Sequence, residues 1–290
     1  MDIKKLLTKV KTFSSFNNIE FNQIKHEDDD DSYDVYEIKY EGNKYILKSA
    51  SIKEIEVYEK ILLPLNIPNV PKVYEIFESE GEYYLLMEYI DGDNLCKANK
   101  RRLILALDAL INIQKKTWED TSIASYGYNF EMSLKDRETR RSYLKDRLLI
   151  EIYNRYLDIY KLLPKALTHD DLLPFNIIIN DKKSILIDWE YAGLLPYPSS
   201  FARLIAFGET NKNSLFYISK ENKKFAIDYY YDNLLKDKGI SYQVWIETYN
   251  YFAFYEYTEW IFIGNKNDMQ DNKNYKKYLL KAKKLAIELE

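Results

Sequence analysis

The residues of this chain best suited to chemistry lie in one stretch. It runs His169-Asp170-Asp171-Leu172-Leu173-Pro174-Phe175-Asn176 and is followed shortly by Ile187-Asp188-Trp189-Glu190. The first segment has the form H-x-D-x-x-x-x-N, the spacing of loops that transfer phosphoryl groups, where an acidic residue on a nearby strand then holds metal. Ile177-Ile178-Ile179 reads as a short buried strand, Asn180-Asp181-Lys182-Lys183 as a polar turn, and Ile185-Leu186-Ile187 as a strand running back. Asn176 stands just before the first strand and Asp188 just after the second, so a hairpin sets two oxygen donors side by side. Magnesium that keeps phosphate ligands needs few protein oxygens, and one amide with one carboxylate suits it. Taken singly these residues are ordinary turn formers: Asp171 a loop carboxylate, Asn176 a turn residue, Asp188 a strand cap. Their order and the length of the hairpin give the set its weight. His169 reads as structural, hydrogen-bonding the loop backbone.

The segment resembles the catalytic core of the aminoglycoside phosphotransferase and choline kinase superfamily. The usual motif there is H-G-D-x-x-x-x-N followed by I-D-W/F-E/D, and Asp170 stands where glycine is common. The resemblance implies an α+β, two-lobed protein-kinase-like fold, with a small β-rich N-lobe and a larger helical C-lobe. It also implies a phosphotransferase using ATP (or GTP) and Mg2+, with Asp171 as catalytic base and Asn176 and Asp188 as metal ligands. By the same resemblance Lys48, ending a strand Tyr-Ile-Leu-Lys, neutralises nucleotide phosphates and pairs with a helix glutamate, Glu54 or alternatively Glu56. Leu85-Leu86-Met87-Glu88-Tyr89-Ile90-Asp91-Gly92 resembles a kinase hinge, placing Met87 behind the adenine and the Glu88 carbonyl and Ile90 amide at its edge. Two departures stand out. The phosphate-covering loop, near residues 28–34, opens with four consecutive aspartates, Asp28 to Asp31, and holds no glycine, with Ser32 in the place of a phosphate-facing serine. The family's D-L-A segment is Ser200-Phe201-Ala202 here.

These groups must be positioned by surrounding elements. Residues 1–13 read as a short amphipathic helix. Tyr33 to Tyr40 and Tyr45 to Lys48 read as strands about a Glu41-Gly42 turn, and Val73 to Phe77 and Tyr83 to Ile90 as strands about Ser79-Glu80-Gly81. Ser51 to Leu65 has helical spacing, with Ser51 and Glu54 as a candidate capping box. Beyond Asp91-Gly92 the character changes: Leu103 to Ile113, Ser142 to Leu163 and most of residues 222–290 read as helices. The boundary divides the chain into residues 1–90, a nucleotide-binding N-lobe, and 91–290, a C-lobe with the catalytic loop, metal site and acceptor helices.

Composition sets limits. Of the 290 residues 46% are apolar and 30% charged, a globular profile with ample material for a core. A net charge of -4 argues against nucleic-acid binding, which needs a basic surface, and is compatible with a cationic ligand. The single cysteine, Cys96, excludes an internal disulfide, and with no signal-peptide core and no transmembrane stretch it points to the cytoplasm.

Residues 245–263 are dense in aromatics and include the carboxylates Glu247, Glu256 and Glu259. One reading is a core helix with a solvated acidic side, in keeping with 28 Tyr and 13 Phe overall. The other is an acceptor site for a cation, built from Glu256, Glu259 and Trp260 with Glu190 beside the metal aspartate. Three functions follow: an ATP-dependent kinase of a small, cationic hydroxyl compound (an aminoglycoside, choline or related amino alcohol); a catalytically inactive, spore-coat-like binding or structural relative; and a protein kinase. No A-P-E segment follows Asp188, which argues against the last.

Overall fold

The computed structural model describes residues 3–14, 19–25, 32–181 and 183–290. The N-terminal part is one antiparallel sheet in the order β1-β2-β3-β5-β4. Its strands are β1 (Glu20–Lys25), β2 (Ser32–Tyr40), β3 (Asn43–Ala50), β4 (Val73–Ser79) and β5 (Glu82–Glu88). Two turns fix its register. Tyr40 pairs with Asn43 across Glu41 and Gly42 (φ +48° and +77°), and Ser79 pairs with Glu82 across Glu80 and Gly81 (φ +57° and +86°). Two consecutive left-handed residues make the two-residue turn whose twist matches a hairpin.

The sheet is covered on both faces. On one, Leu6 and Leu7 of α1 (Ile3–Leu7), with Val10, pack on Ile38, Leu47 and Leu86. The helix expected over residues 1–13 is this single short turn. On the other lies α2 (Ile52–Val57), capped by Ser51, whose Oγ accepts from the Glu54 N–H at 3.3 Å. The chain continues as a wider π-helical turn, Tyr58–Leu62, rather than the regular helix the spacing suggests.

The C-terminal part is helical: α3 (Lys100–Thr117), α4 (Phe130–Arg141), α5 (Arg147–Leu162), α6 (Pro198–Ala206), α7 (Lys220–Tyr230), α8 (Tyr242–Lys266) and α9 (Lys273–Leu289). Its short strands are β6 (Asp93–Asn94), β7 (Lys97–Ala98), β8 (Lys165–Thr168), β9 (Ile177–Ile179), β10 (Ser184–Leu186), β11 (Gly193–Pro196) and β12 (Tyr217–Ile218). The chain therefore has the α+β, two-lobed, kinase-like architecture. Much of the tyrosine is core. Tyr153, Tyr156 and Tyr160 recur at helical spacing on α5, all fully buried, and meet Phe252 and Tyr255 of α8. The helix expected from Ser142 begins instead at Arg147, where Asp146 caps it through Leu148 and Leu149 N–H. Among the described residues no helix is long and apolar enough to cross a membrane.

Residues 89–92 connect the two parts. Gly92 lies against the hairpin: a Cβ there would sit 2.7 Å from the Ile179 carbonyl oxygen. The hairpin itself is β9–β10, which pairs Ile177 with Leu186 and Ile179 with Ser184, and β6 adds a third strand. Its other edge is tied to the N-terminal part, where Leu186 N–H donates to Asn69 O at 2.8 Å and Asn69 Nδ2 to Ser184 O at 3.0 Å. Gly92→Ala should therefore force connector and hairpin apart and cost about 1–3 kcal/mol, the usual range for overpacking. Urea unfolding of the variant checks this.

Candidate active site

The hairpin places the ends of its strands as the spacing requires. Ile187 N–H donates to Asn176 O at 3.0 Å, so Asn176 and Asp188 flank one end of the ladder. Asp188 has φ +67°, a left-handed conformation that aspartate tolerates better than most residues. Its Oδ1 accepts from Lys48 Nζ of β3 at 2.5 Å, and Lys48 also donates to Glu54 Oε1 of α2 at 2.8 Å. Burial pulls the Lys48 ammonium down, but Glu54 and Asp188 outweigh it and hold it above its ordinary value. Burial likewise lifts Asp188, and Lys48 more than reverses that, leaving it below the usual carboxylate range. Glu54 is nearly inaccessible and accepts in addition from the Trp189 N–H at 3.2 Å. Of the two glutamates considered as partner to Lys48, Glu54 makes the contact. Glu56 accepts from Gly127 N–H at 3.2 Å, so both bridge to the helical part.

The loop before the hairpin is wound on itself. Asp171 N–H donates to His169 O and Leu173 N–H to Asp171 O, both at 2.8 Å, and Asn176 Nδ2 donates to Asp171 O at 2.9 Å. With Nδ2 engaged, Asn176 Oδ1 is the atom of its amide suited to a cation. His169 is buried, donates from Nε2 to Ile187 O at 2.7 Å, and rests on the Trp189 ring at 4.8 Å between centroids. Burial lowers its basicity, in keeping with a neutral ring bracing the loop. The Ser200 departure has a local consequence: Ser200 Oγ accepts from His169 N–H at 2.8 Å, so a hydroxyl braces the loop backbone from α6. Asp170 has φ +54°, which accounts for glycine at this motif position in the resembling family. Here both Asp170 oxygens are held by Arg137 Nη2, at 2.8 and 3.0 Å. Arg137 is itself buried, with Tyr160 and Tyr255 rings 4.5 and 4.8 Å away.

Asp171 borders a cavity of about 230 Å³. Its walls are Asp170 and Asp171 from the loop, Asp136, Arg137 and Arg140 from α4, Arg203 from α6, Tyr255, Glu256 and Glu259 from α8, and Tyr128 and Tyr191. Arg203 is the residue that sequence reading misses and the site most needs. Its Nη2 and Nε donate to Asp171 Oδ1 at 2.8 and 3.0 Å, and its Nη1 to Glu256 Oε2 at 3.0 Å and to Glu259. Burial raises Asp171 above its ordinary value although Arg203 pulls it down, and burial lifts Glu256 to about 7.

Three expectations change. Glu256 and Glu259 line the cavity but are bound to Arg203, because the fold sets α6 against α8. Trp260 lies outside the cavity, stacked on Tyr278 of α9 with centroids 6.2 Å apart, because α9 packs along α8 there and takes the indole ring. Glu190 is exposed in the turn after Trp189, and its neighbour Tyr191 lines the cavity in its place. Most of helix α8 is core, and one strip of it, Tyr255, Glu256 and Glu259, faces the cavity.

At the segment expected to hold the nucleotide, Met87 is buried in β5 opposite Ile46, and Glu88 N–H donates to Lys72 O at 2.8 Å before the chain leaves the sheet at Tyr89, so Ile90 lies beyond the strand. Ser32 opens β2, exposed and paired with Lys25. The acidic run Asp28–Asp31 lies outside the described residues. Among the described residues no three His, Cys, Asp or Glu side chains cluster to hold a metal unaided. Asn176 Oδ1 and Asp188 do fit a magnesium ion that takes its remaining ligands from phosphates.

A kinase-like fold with a lysine–carboxylate pair across its cleft and a loop carboxylate beside a cavity defines a phosphotransferase class. The chain belongs to the phosphotransferase enzyme family, whose sequence model matches residues 28–217. A search of curated protein sequences finds no match. Among solved structures, it is similar to the choline kinase LicA from Streptococcus pneumoniae (TM-score 0.63, 15% identity, 99% of this chain and 100% of that one). It is similar also to the amicoumacin kinase hAmiN in complex with AMP-PNP and Ca2+ (0.67, 16%, 100% and 93%) and to a Plasmodium vivax ethanolamine kinase (0.60, 15%, 95% and 83%).

Arg203→Met would leave three mostly buried carboxylates without their cation. The expected loss at pH 7 is about 3–5 kcal/mol, the range for breaking a buried ion pair from one side. The sign with pH follows from Glu256. A folded-state value near 7 against an ordinary 4.5 means that the fold binds a proton the unfolded chain releases. That stability is full below about 4.5 and lost as pH rises through 7. Without Arg203 the carboxylates rise further, so the deficit should shrink between pH 7 and pH 5. Denaturant unfolding at both pH values measures it.

Proposed function

We propose that the protein transfers the γ-phosphoryl group of ATP, or GTP, with Mg2+, to a hydroxyl of a small molecule that carries an amine. The observation that supports this most is that one continuous loop and hairpin sets Asp171 at the cavity wall and Asn176 at the same end of the ladder as Asp188, which pairs with Lys48. Acceptor and phosphate chemistry are thereby brought to adjacent ends of one segment.

In this reading Met87, the Glu88 carbonyl and the Ile90 amide hold the adenine, and Ser32 approaches the phosphates. Lys48, positioned by Glu54, neutralises phosphate oxygens. Asn176 and Asp188 hold the metal, which supplies charge neutralisation for the transferring group. Asp171 accepts the acceptor's hydroxyl proton, and Arg203 fixes the carboxylate that does so. The catalytic effect is chiefly orientation and electrostatics, which pre-bonded side chains provide without reorganising. The structurally similar choline, ethanolamine and amicoumacin kinases favour a small-molecule acceptor, and the carboxylates along the cavity favour an amine on it.

Asp171→Asn should lower kcat by about 10²–10⁴, the contribution of a general base, with nucleotide binding retained. Near-normal turnover in the variant would refute the assignment. Asp188→Ala should abolish the magnesium dependence of nucleotide affinity, read by titration calorimetry with and without the metal. The wild type should gain about 2.7 kcal/mol of stability at 100 times the nucleotide Kd, visible as a thermal shift.

A further inference from the structure

The charges lining the cavity are not equally committed. Arg137 is matched by Asp170, and Arg203 by Asp171, Glu256 and Glu259. Two groups remain, Asp136 and Arg140, one turn apart on the same face of α4. Asp136 is exposed and accepts from the Tyr128 hydroxyl. Arg140 donates from Nη1 to the Tyr255 hydroxyl at 3.0 Å. Its nearest carboxylate oxygen, Glu259 Oε1, is 3.8 Å away, and the other Glu259 oxygen is bound by Arg203. Among the described residues, then, each of these two charges has a neutral tyrosine as its close partner.

The geometry of Arg140 suits an anion. A guanidinium carries five N–H donors in a planar fork that matches a carboxylate in two contacts. Arg140 is partly open, with 31% of its side chain accessible, and is backed by the Phe262 and Tyr255 rings at 5.5 and 5.7 Å. That packing holds the fork in place before a ligand arrives. A purely cationic acceptor would meet this guanidinium with repulsion. An acceptor with charges of both signs would satisfy Asp136 and Arg140 together, while Asp171 addresses its hydroxyl.

We propose that the acceptor is a hydroxylated zwitterion of the amino-acid type, its ammonium held by Asp136 beside the Tyr128 and Tyr191 rings and its carboxylate by Arg140. This rests on the phosphotransfer reading above and narrows its substrate class.

The test uses pairs that differ only in the carboxylate: L-serine with ethanolamine, L-threonine with 1-aminopropan-2-ol, and 5-hydroxynorvaline with 4-aminobutan-1-ol. Binding is measured by calorimetry on the full chain with Mg2+ and a non-hydrolysable ATP analogue, and ADP formation is measured separately with ATP. In at least one pair the zwitterion should bind tenfold or more tightly than its amino alcohol. Arg140→Gln should bring that ratio to about one, and Arg140→Lys should keep part of it. The inference is overturned if the amino alcohols bind as well as or better than the zwitterions in every pair. It is overturned equally if no zwitterion binds, if Arg140→Gln weakens both members alike, or if that variant raises the nucleotide Kd instead. The two readings fail separately. Zwitterion binding that Arg140→Gln abolishes, without ADP formation, would uphold Asp136 and Arg140 as a zwitterion site and overturn the phosphotransfer reading, whereas ADP formation on amino alcohols alone would do the reverse.

Discussion

The contact on which the site depends is the lysine that spans the cleft. Lys48 sits on a sheet strand, Glu54 on the helix beneath that sheet, and Asp188 at the end of a hairpin belonging to the other part of the molecule. A buried ammonium is stable only with its counter-charges in place, so each of the three elements must hold its position for the other two. The Glu54 carboxylate also takes the Trp189 N–H, so the backbone beside Asp188 is fixed by the same group that orients the lysine. Strand, helix and hairpin meet at one set of charges, and the end of the site proposed for the nucleotide is defined by where they meet.

The cavity proposed for the acceptor is organised by the same principle with opposite sign. There one cation, Arg203, gathers carboxylates from a loop and from α8. The loop carboxylate cannot swing, because its oxygen is held by a side chain that two other acids also hold. Arg137 does the same one residue earlier for Asp170, inside a seam of tyrosines that supply ring faces and hydroxyls without adding charge.

Local signals carried much of this into the sequence. The H-x-D-x-x-x-x-N run, the two X-Gly turns and the strand–turn–strand after Asn176 depend on neighbours in the chain, and they folded as their spacing suggests. Arg203 did not show, because its meaning lies in residues far along the chain that meet it only after α6 packs on α8. Helix α4 did not show either. Its buried side chains include Ser133 and Arg137 in place of an apolar stripe, so no hydrophobic period marks it, although Asn129 was present as a cap signal. Nearly all of α6 is buried, which erases the two-sided pattern in a different way, and Pro198 at its first turn was the available clue. Glu256 and Glu259 were found as acids near the cavity, but their commitment to an arginine is a fact of packing. The segments that escaped sequence reading are those whose inward faces are polar or wholly enclosed.

Trp189 gives this arrangement an optical handle. Its indole N–H is held by the Leu186 carbonyl, its ring lies on His169, and its backbone N–H is held by Glu54. The chain has only four tryptophans, and this one is enclosed between the hairpin and the helix that orients Lys48. Any displacement of that helix against the hairpin changes the polarity and quenching around a single chromophore. The protein thus carries an intrinsic fluorescent reporter of its own cleft, one residue from the carboxylate proposed to hold the metal.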